Sequence, residues 1–334
     1  MFPPGRTTRV DVEFWKETVY ASLCPDIPGG GRSDDMRILV FGSLNIDKVY
    51  ALSDFVRPGE TVAARKMDEF CGGKGFNQAI ALRRAGNEVH FAGAVGADGQ
   101  MLLNTLDKNG ICRDLVQVKD GATGHAIIQV DDKGGNCIII LAGTNGKITP
   151  EDAKNALSGF GEGDLLVVQN EISSMPDILR LAKGQGMTVA FNPSPFNEKV
   201  ALCDIAMVDY LLINETEGQA MTGCGEKDAI LDALRQKYPA LNVVLTLGGD
   251  GSVYQAAGGE RTPCGIYRTK AVDTTAAGDT FTGYFLGEIL SGAAPANALK
   301  LAAVAAGISV SRAGAEPSIP TREEVLEALK TAQV

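Results

Sequence analysis

The stretch AVDTTAAGDTFTG, residues 271–283, decides how the rest of this 334-residue chain is read. A strand end runs into Ala276-Ala277-Gly278 and then into a helix whose apolar face carries Phe281, Phe285, Ile289 and Leu290. Small residues let backbone N–H groups approach a ligand closely, and a helix N-terminus adds partial positive charge. The N–H groups of Ala276, Ala277 and Gly278 are therefore a candidate hole for a phosphate in transfer. Asp279 falls in the first helical turn, where it can receive a proton from a hydroxyl attacking that phosphate. A first-turn aspartate can equally do no more than complement the helix dipole. The segment alone leaves both readings open.

Outward from this stretch, strand and helix patterns alternate. Apolar, β-rich runs lie at 37–41, 88–95, 164–169, 187–191, 208–213 and 242–247, with helical patterns at about 75–86, 98–109, 174–184 and 226–237. Alternation at this pitch predicts βαβ units and a mainly parallel sheet covered on both faces, an α/β fold. The C-terminal third reads as helix at 277–291, 295–312 and 322–331. Residues 46–70 and 123–141 contain short strands without intervening helices, which predicts a small separate sheet able to act as a lid. Residues 1–35 read as a flexible N-terminal extension, with one short helix at 14–23 and a linker-like PDIPGGGRSDD at 25–35. The folded domain is expected over 36–334.

Composition narrows the classes. The 45% hydrophobic and 22% charged content is ordinary globular usage, and 40 glycines without a G-X-Y period exclude collagen. A net charge of −10 argues against a general nucleic-acid binder, so any phosphate must be held by local devices such as helix N-termini. Seven scattered cysteines, never paired as CxxC, fit a reducing compartment better than a zinc or disulfide framework. The longest apolar run, 301–310, is too short to cross a bilayer, and no signal-peptide pattern opens the chain. The expectation is a cytoplasmic protein with no membrane partner.

Three further constellations carry chemistry. GGKGFNQA, residues 72–79, sets three glycines, Lys74 and Asn77 at the head of an amphipathic helix. Glycines allow close approach to a polyol, and an amide can both donate to and accept from hydroxyls. It is no P-loop, since GxxxxGK[ST] does not fit. A plain glycine turn before a helix would look the same. GSLNID, residues 42–47, follows the first strand, and Asn45 and Asp47, two apart, share one side of an extended segment. A solvated Asx turn is the alternative. NETE, residues 214–217, puts Asn214 and Glu217 three apart, a pair suited either to Mg²⁺-bound waters and phosphate oxygens or to a helix capping box.

Taken together and in order, GSLNID, GGKGFNQA, Asn192-Pro193-Ser194-Pro195, NETE, Thr246-Leu247-Gly248-Gly249-Asp250-Gly251 and AVDTTAAGD resemble the ribokinase-like carbohydrate kinases, also called the phosphofructokinase B family. The resemblance runs from about Arg37 to about Leu329, and the Lys74–Gln78 stretch and Asp47 look most like the ribokinases within it. It implies a doubly wound α/β domain with a β lid that also mediates homodimers. It implies transfer of the ATP γ-phosphate to a primary hydroxyl of a sugar, the 5-hydroxyl in ribose. Carried over by residue, Asp279 looks like the catalytic base, with Ala276, Ala277 and Gly278 as the anion hole. Asn45, Asp47, Gly73, Lys74, Asn77 and Glu171 are similar to the sugar-binding positions. Asn214 and Glu217 match the phosphate and magnesium motif, and Thr246, Gly248, Gly251 and Gly278 the nucleotide site. The family also uses a monovalent cation, normally potassium, and the matching positions are Asp273, Thr275, Ser309, Arg312, Gly314 and Ser318. Arg312 can ligate only through its carbonyl.

Three departures from the family pattern bear on the pocket. Phe76 stands where ribokinases carry a small residue, Met101 where the family has a glycine, and Ala303 where a histidine near the adenine is common. A nucleoside substrate would call for an aromatic stack, for which Tyr50, Phe55 and Phe76 are the candidates. The rival readings are a kinase for another sugar, sugar acid or nucleoside, and a sugar sensor without turnover. His90, His125 and the methionines 101, 187, 207 and 221 read as packing residues, and nothing in the sequence activates Cys71.

Overall fold

All four residues of the first strand, ILVF, are buried because the strand lies between two cores. Ile38 and Val40 pack into one, Leu39 and Phe41 into the other, as a period of two requires. The computed structural model describes residues 36–332 apart from Gly134. The helix and linker expected within residues 1–35 lie outside the described residues.

In chain order the strands are β1 (Ile38–Phe41), β2 (Asn45–Ala51), β3 (Lys66–Gly72), β4 (Val89–Val95), β5 (Cys112–Val118), β6 (Gly124–Val130), β7 (Asn136–Leu141), β8 (Leu165–Gln169), β9 (Thr188–Asn192), β10 (Tyr210–Asn214), β11 (Asn242–Thr246), β12 (Ser252–Gln255) and β13 (Arg261–Cys264). The α-helices are α1 (Lys74–Arg84), α2 (Gln100–Lys108), α3 (Pro150–Leu157), α4 (Met175–Gly184), α5 (Glu215–Thr222), α6 (Lys227–Lys237), α7 (Ala277–Leu290), α8 (Pro295–Val310) and α9 (Arg322–Leu329). Nine strands form one sheet in the order β13-β12-β11-β10-β9-β8-β1-β4-β5, with every neighbouring pair parallel except β11–β12 and β12–β13 at one edge. Residues of α1, α7, α8 and α9 pack into the core on one face, and those of α3, α4 and α6 into the core on the other. This is the doubly wound α/β fold. The chain winds from β1 outward through β4 and β5, then returns to β8 on the other side of β1. Crevices for ligands open where strand order reverses, beyond the carboxyl ends of the strands. Here that point lies between β1 and β8.

The remaining four strands form a second sheet, β3-β2-β6-β7. Of its strands β2, β6 and β7 match the runs expected in the lid segments, with β2 continuing directly from the end of β1 through Gly42–Leu44. Elements that the sequence pattern passed over are short or two-faced. β5 is an edge strand with no fully buried residue, and β3 (KMDEFCG) is largely polar, so neither shows an apolar run. The start of α3 did carry a legible signal, a Thr149–Asp152 capping box with Pro150 at the first turn.

Candidate functional site

The ends of β1 and β8, the start of α1 and the start of α7 converge at the switch point. Ser43, just after β1, donates its hydroxyl to Glu171 Oε2, and the Lys74 N–H donates to the same oxygen at 2.8 Å. The Gly75 N–H in turn donates to Ser43 Oγ at 3.2 Å, so the two chain segments are stitched by one serine and one carboxylate. Gly72 has to be glycine: a β-carbon there would lie 2.1 Å from Asp47 Oδ2, so the lid strand β2 lays its carboxylate directly over bare backbone. On the other side, Asn145 clamps the start of the lid. It accepts from the Leu44 N–H at 3.1 Å and donates to Asn45 Oδ1 at 2.8 Å.

Asp279 sits in the first turn of α7, only 6% exposed. Asn77 Nδ2 donates to its Oδ2 at 3.1 Å and Gln78 Nε2 to its Oδ1 at 3.0 Å. Each carboxylate oxygen thus has one amide donor and a further lone pair for an incoming hydroxyl. Asn77 Oδ1 is buried and takes no hydrogen bond from the described residues, an acceptor ready for a ligand hydroxyl. Charge is concentrated here. Burial, with Glu171 and Asp279 nearby, pushes the Asp47 carboxyl up to about 7, and burial likewise raises Glu171. Lys74 is raised by Asp279 above all, and by Glu171 and Glu217, so its ammonium is firmly cationic among carboxylates.

Two cavities adjoin this cluster. A polar one of about 180 Å³ is lined by Lys74, Asn192, Asn214, Glu217, Ala276 and Asp279, among others. A wider, more apolar one of about 550 Å³ is walled by residues that include Gly248, Gly251, Tyr267, Ala303, Gly307 and Val310. They meet at Thr246, Thr274, Gly278 and Phe281. Gly251, at φ 94°, turns the chain between β11 and β12 so closely that a β-carbon would meet the Cys264 carbonyl at 2.1 Å. At the junction Ala276 takes a left-handed backbone, φ 60°, which costs a non-glycine residue about 1 kcal/mol. That turn aims the start of α7 at the cavities. Of the three N–H groups expected to form an anion hole, that of Ala277 is bonded to the Thr274 carbonyl at 3.2 Å.

The expected cation positions fall into two groups. Asn214 and Glu217 form the capping box of α5, with the Asn214 N–H donating to Glu217 Oε2 at 3.0 Å, and both also line the polar cavity. Cap and site are thus the same residues. One buried carboxylate facing a polar cavity fits Mg²⁺, which keeps most of its waters and takes few protein ligands. Asp273 accepts from the Thr275 N–H and the Gly314 N–H, each at 2.9 Å, and Ser309 and Ser318 share a hydrogen bond of 2.7 Å. Both loops are tied through the Val310 carbonyl, and the donor set is all oxygen, which fits an alkali cation. The Arg312 side chain leaves this group for Glu324, at 2.6 Å.

The three departures separate on inspection. Phe76 is fully buried in the core and does not line either cavity. Met101 packs on α2 against the same core. Ala303 does line the wide cavity, where it replaces bulk with space. Ser43, Asn145, Gln78 and Gln169 were not singled out from the sequence. For Ser43, Gln78 and Gln169 the signal was position alone, at the carboxyl ends of β1 and β8 or inside a motif already quoted, and Asn145, in the turn after β7, carried none.

A profile described as the pfkB family carbohydrate kinases matches residues 35–322. The chain is 34% identical over 306 residues to a ribokinase of Haemophilus influenzae, covering 88% of this chain and 99% of that one. The ribokinase structure from Thermotoga maritima superposes with a TM-score of 0.78 at 35% identity, over 88% of this chain and 99% of that one. An Arabidopsis thaliana ribokinase, solved with ribose and ATP, gives a TM-score of 0.77 at 29% identity, over 88% and 98%.

Proposed function

The chain belongs to the pfkB family of carbohydrate kinases, phosphotransferases with an alcohol group as acceptor, and we propose that it transfers the ATP γ-phosphate to a primary hydroxyl of a small sugar, D-ribose giving ribose 5-phosphate. The observation that carries this is Asp279, buried at a helix N-terminus between two amides and facing a polar cavity. Asn45, Asp47, Asn77, Lys74 and Glu171, with the backbone of Gly73, hold the sugar, and Asp279 takes the proton of the attacking hydroxyl. The N-terminus of α7, from Ala276 to Gly278, faces the charge on the transferring group. Thr246, Gly248 and Gly251 border the nucleotide, with its base in the wide cavity. Glu217 and Asn214 are the residues that would hold Mg²⁺, which when bound neutralises phosphate charge. The Asp273, Thr275, Ser309, Arg312, Gly314 and Ser318 oxygens would hold potassium.

A nucleoside substrate loses one of its three aromatic candidates for stacking, since Phe76 is locked in the core. Coupled ADP release with Mg-ATP and potassium tests the reading across ribose, deoxyribose, fructose, a sugar acid and adenosine, with Asp279→Asn as blank. Preference for ribose that vanishes in the variant supports it; sugar binding without ADP release supports the sensor instead. The lid supplies the partner surface of a homodimer. Every residue of β7 is exposed, including Ile138, Ile139, Ile140 and Leu141 at 52–61%. A run of this kind on an edge strand calls for cover. Ile139→Lys halves the mass in sedimentation if β7 is the interface, and leaves it unchanged if it is not. Among the described residues no helix is long and apolar enough to cross a membrane.

A further inference from the structure

Beside Asp279 runs a line of amides, with Gln78 and Gln169 buried and Asn192 at the wall of the polar cavity. Gln169, at the end of β8, donates Nε2 to Gln78 Oε1 at 2.7 Å. Gln78, on α1, spends both hydrogens of its own Nε2, one on Asp279 Oδ1 at 3.0 Å and one on Asn192 Oδ1 at 3.2 Å. Asn192, at the end of β9, donates its Nδ2 to the Leu212 carbonyl of β10 at 2.8 Å. Gln78 and Gln169 are both 0% exposed.

The direction of every amide in this line follows from its two ends. The Leu212 carbonyl can only accept, so Asn192 must turn its Nδ2 to it and its Oδ1 to Gln78. An ionised Asp279 can also only accept, so Gln78 must present Nε2 to both neighbours and keep Oε1 for Gln169. Gln169 then has to give its N–H₂ group, and its Oε1 is left buried without a hydrogen bond from the described residues. A buried carbonyl without a partner is costly in a folded protein. The fold tolerates one here, and what that orientation secures is a donor fixed on Gln78.

We propose that Gln78, oriented by Gln169 and Asn192, is a positioning residue for Asp279, fixing the plane of its carboxylate at the point where the sugar hydroxyl is deprotonated. The inference rests on the proposed role of Asp279 as base. Gln78 touches no substrate in this arrangement; Asn77 covers the other oxygen and borders the sugar. A carboxylate without the Gln78 donor is free to rotate, and misplacement of a reacting group by a fraction of its length lowers turnover steeply. The charged groups around Asp279, namely Lys74, Asp47, Glu171 and Glu217, stay in place when Gln78 or Gln169 is changed.

The test compares wild type, Gln78→Met and Gln169→Leu by coupled ADP release, with melting curves for each and sugar affinity by calorimetry. Gln78→Met keeps the volume and removes the donors. Gln169→Leu keeps the bulk and removes the N–H group that holds Gln78 Oε1, so the Gln78 amide is free to turn away from Asp279. The expected result in both is a kcat lower by about tenfold to a hundredfold and a sugar KM within about threefold of wild type. A folded variant with wild-type kcat overturns the proposal, as does one in which KM rises alone. If Gln78→Met does not fold, Gln169→Leu carries the same readouts. Asp279→Asn in the same assay separates the two claims: near-normal turnover there sinks the base itself, whereas a dead Asp279→Asn beside a normal Gln78→Met sinks only the positioning role.

Discussion

The two cavities share four residues and almost nothing else. The small one is lined by charges and amides brought from the ends of β9, β10 and β11 and the starts of α1, α5 and α7, with Asp279, Asn214 and Glu217 held in hydrogen bonds. The wide one is made largely of glycine and alanine from the turn between β11 and β12, the loop after β13, the start of α7 and α8. A cavity of partnered charges fails abruptly, because deleting one group leaves another buried and unpaired. A cavity of shape fails gradually, because each methyl group changes the fit by little. Chemistry belongs with the first and tolerant binding of a large flat group with the second.

That contrast can be broken by substitution. The largest effect is expected for Asp279→Asn, which should lower kcat by at least about a hundredfold, the scale of a lost general base, while calorimetry still shows sugar binding. Turnover near wild type would remove Asp279 from the role. Next, Asp47→Asn should raise the sugar KM by about thirtyfold, close to the 2 kcal/mol carried by a charged hydrogen bond, with the KM for ATP unmoved. An equal rise in both would mean that Asp47 does not act on the sugar alone.

The pH dependence follows from the same carboxylate. Asp47 is pushed up to about 7 in the protein without ligand, and the ionised form is the better acceptor for sugar hydroxyls. Sugar KM should therefore rise by about tenfold between pH 8 and pH 6, and Asp47→Asn should flatten that profile. A flat profile in the wild-type protein would contradict the assignment. In the wide cavity, Ala303→Leu should raise the KM for ATP by only about fivefold, the lower range of overpacking, and leave the sugar KM alone.

The smallest effect concerns stability. An unfolded aspartate titrates near 4, and the folded Asp47 near 7. The folded state thus prefers the neutral form, and stability falls as pH rises from about 4 through about 7. Asp47→Asn should raise the melting temperature by about a few degrees at pH 8 and by less at pH 5. An equal gain at both would show that charge burial is not the cause. Function at this position is held against stability, as strained sites often are.

Much of this was readable without coordinates. The alternation of apolar runs located β1, β4, β8, β9, β10 and β11 and the three C-terminal helices, because a parallel sheet buried on both faces needs unbroken apolar strands. It missed β3 and β5, which have one face in solvent and so no such run. Asp279 was legible because an acidic residue after Ala-Ala-Gly at a helix start is a local pattern. Phe76 misled for the opposite reason: motif position suggested a pocket residue, and only packing sent the ring into the core.

The chain order of motifs by itself determined the family, the doubly wound sheet and the candidate base, since each is encoded in residues adjacent in sequence. What only the tertiary structure decided is which groups face one another. Gln78 and Asp279 are 201 positions apart, and Gln169 reaches Gln78 across 91. Sequence spacing holds no record of such contacts. They exist because strand order reverses beside β1, which brings the ends of β8 and β9 and the starts of α1 and α7 to one crevice. Burial there removes water as an alternative partner, and so fixes the direction of every amide.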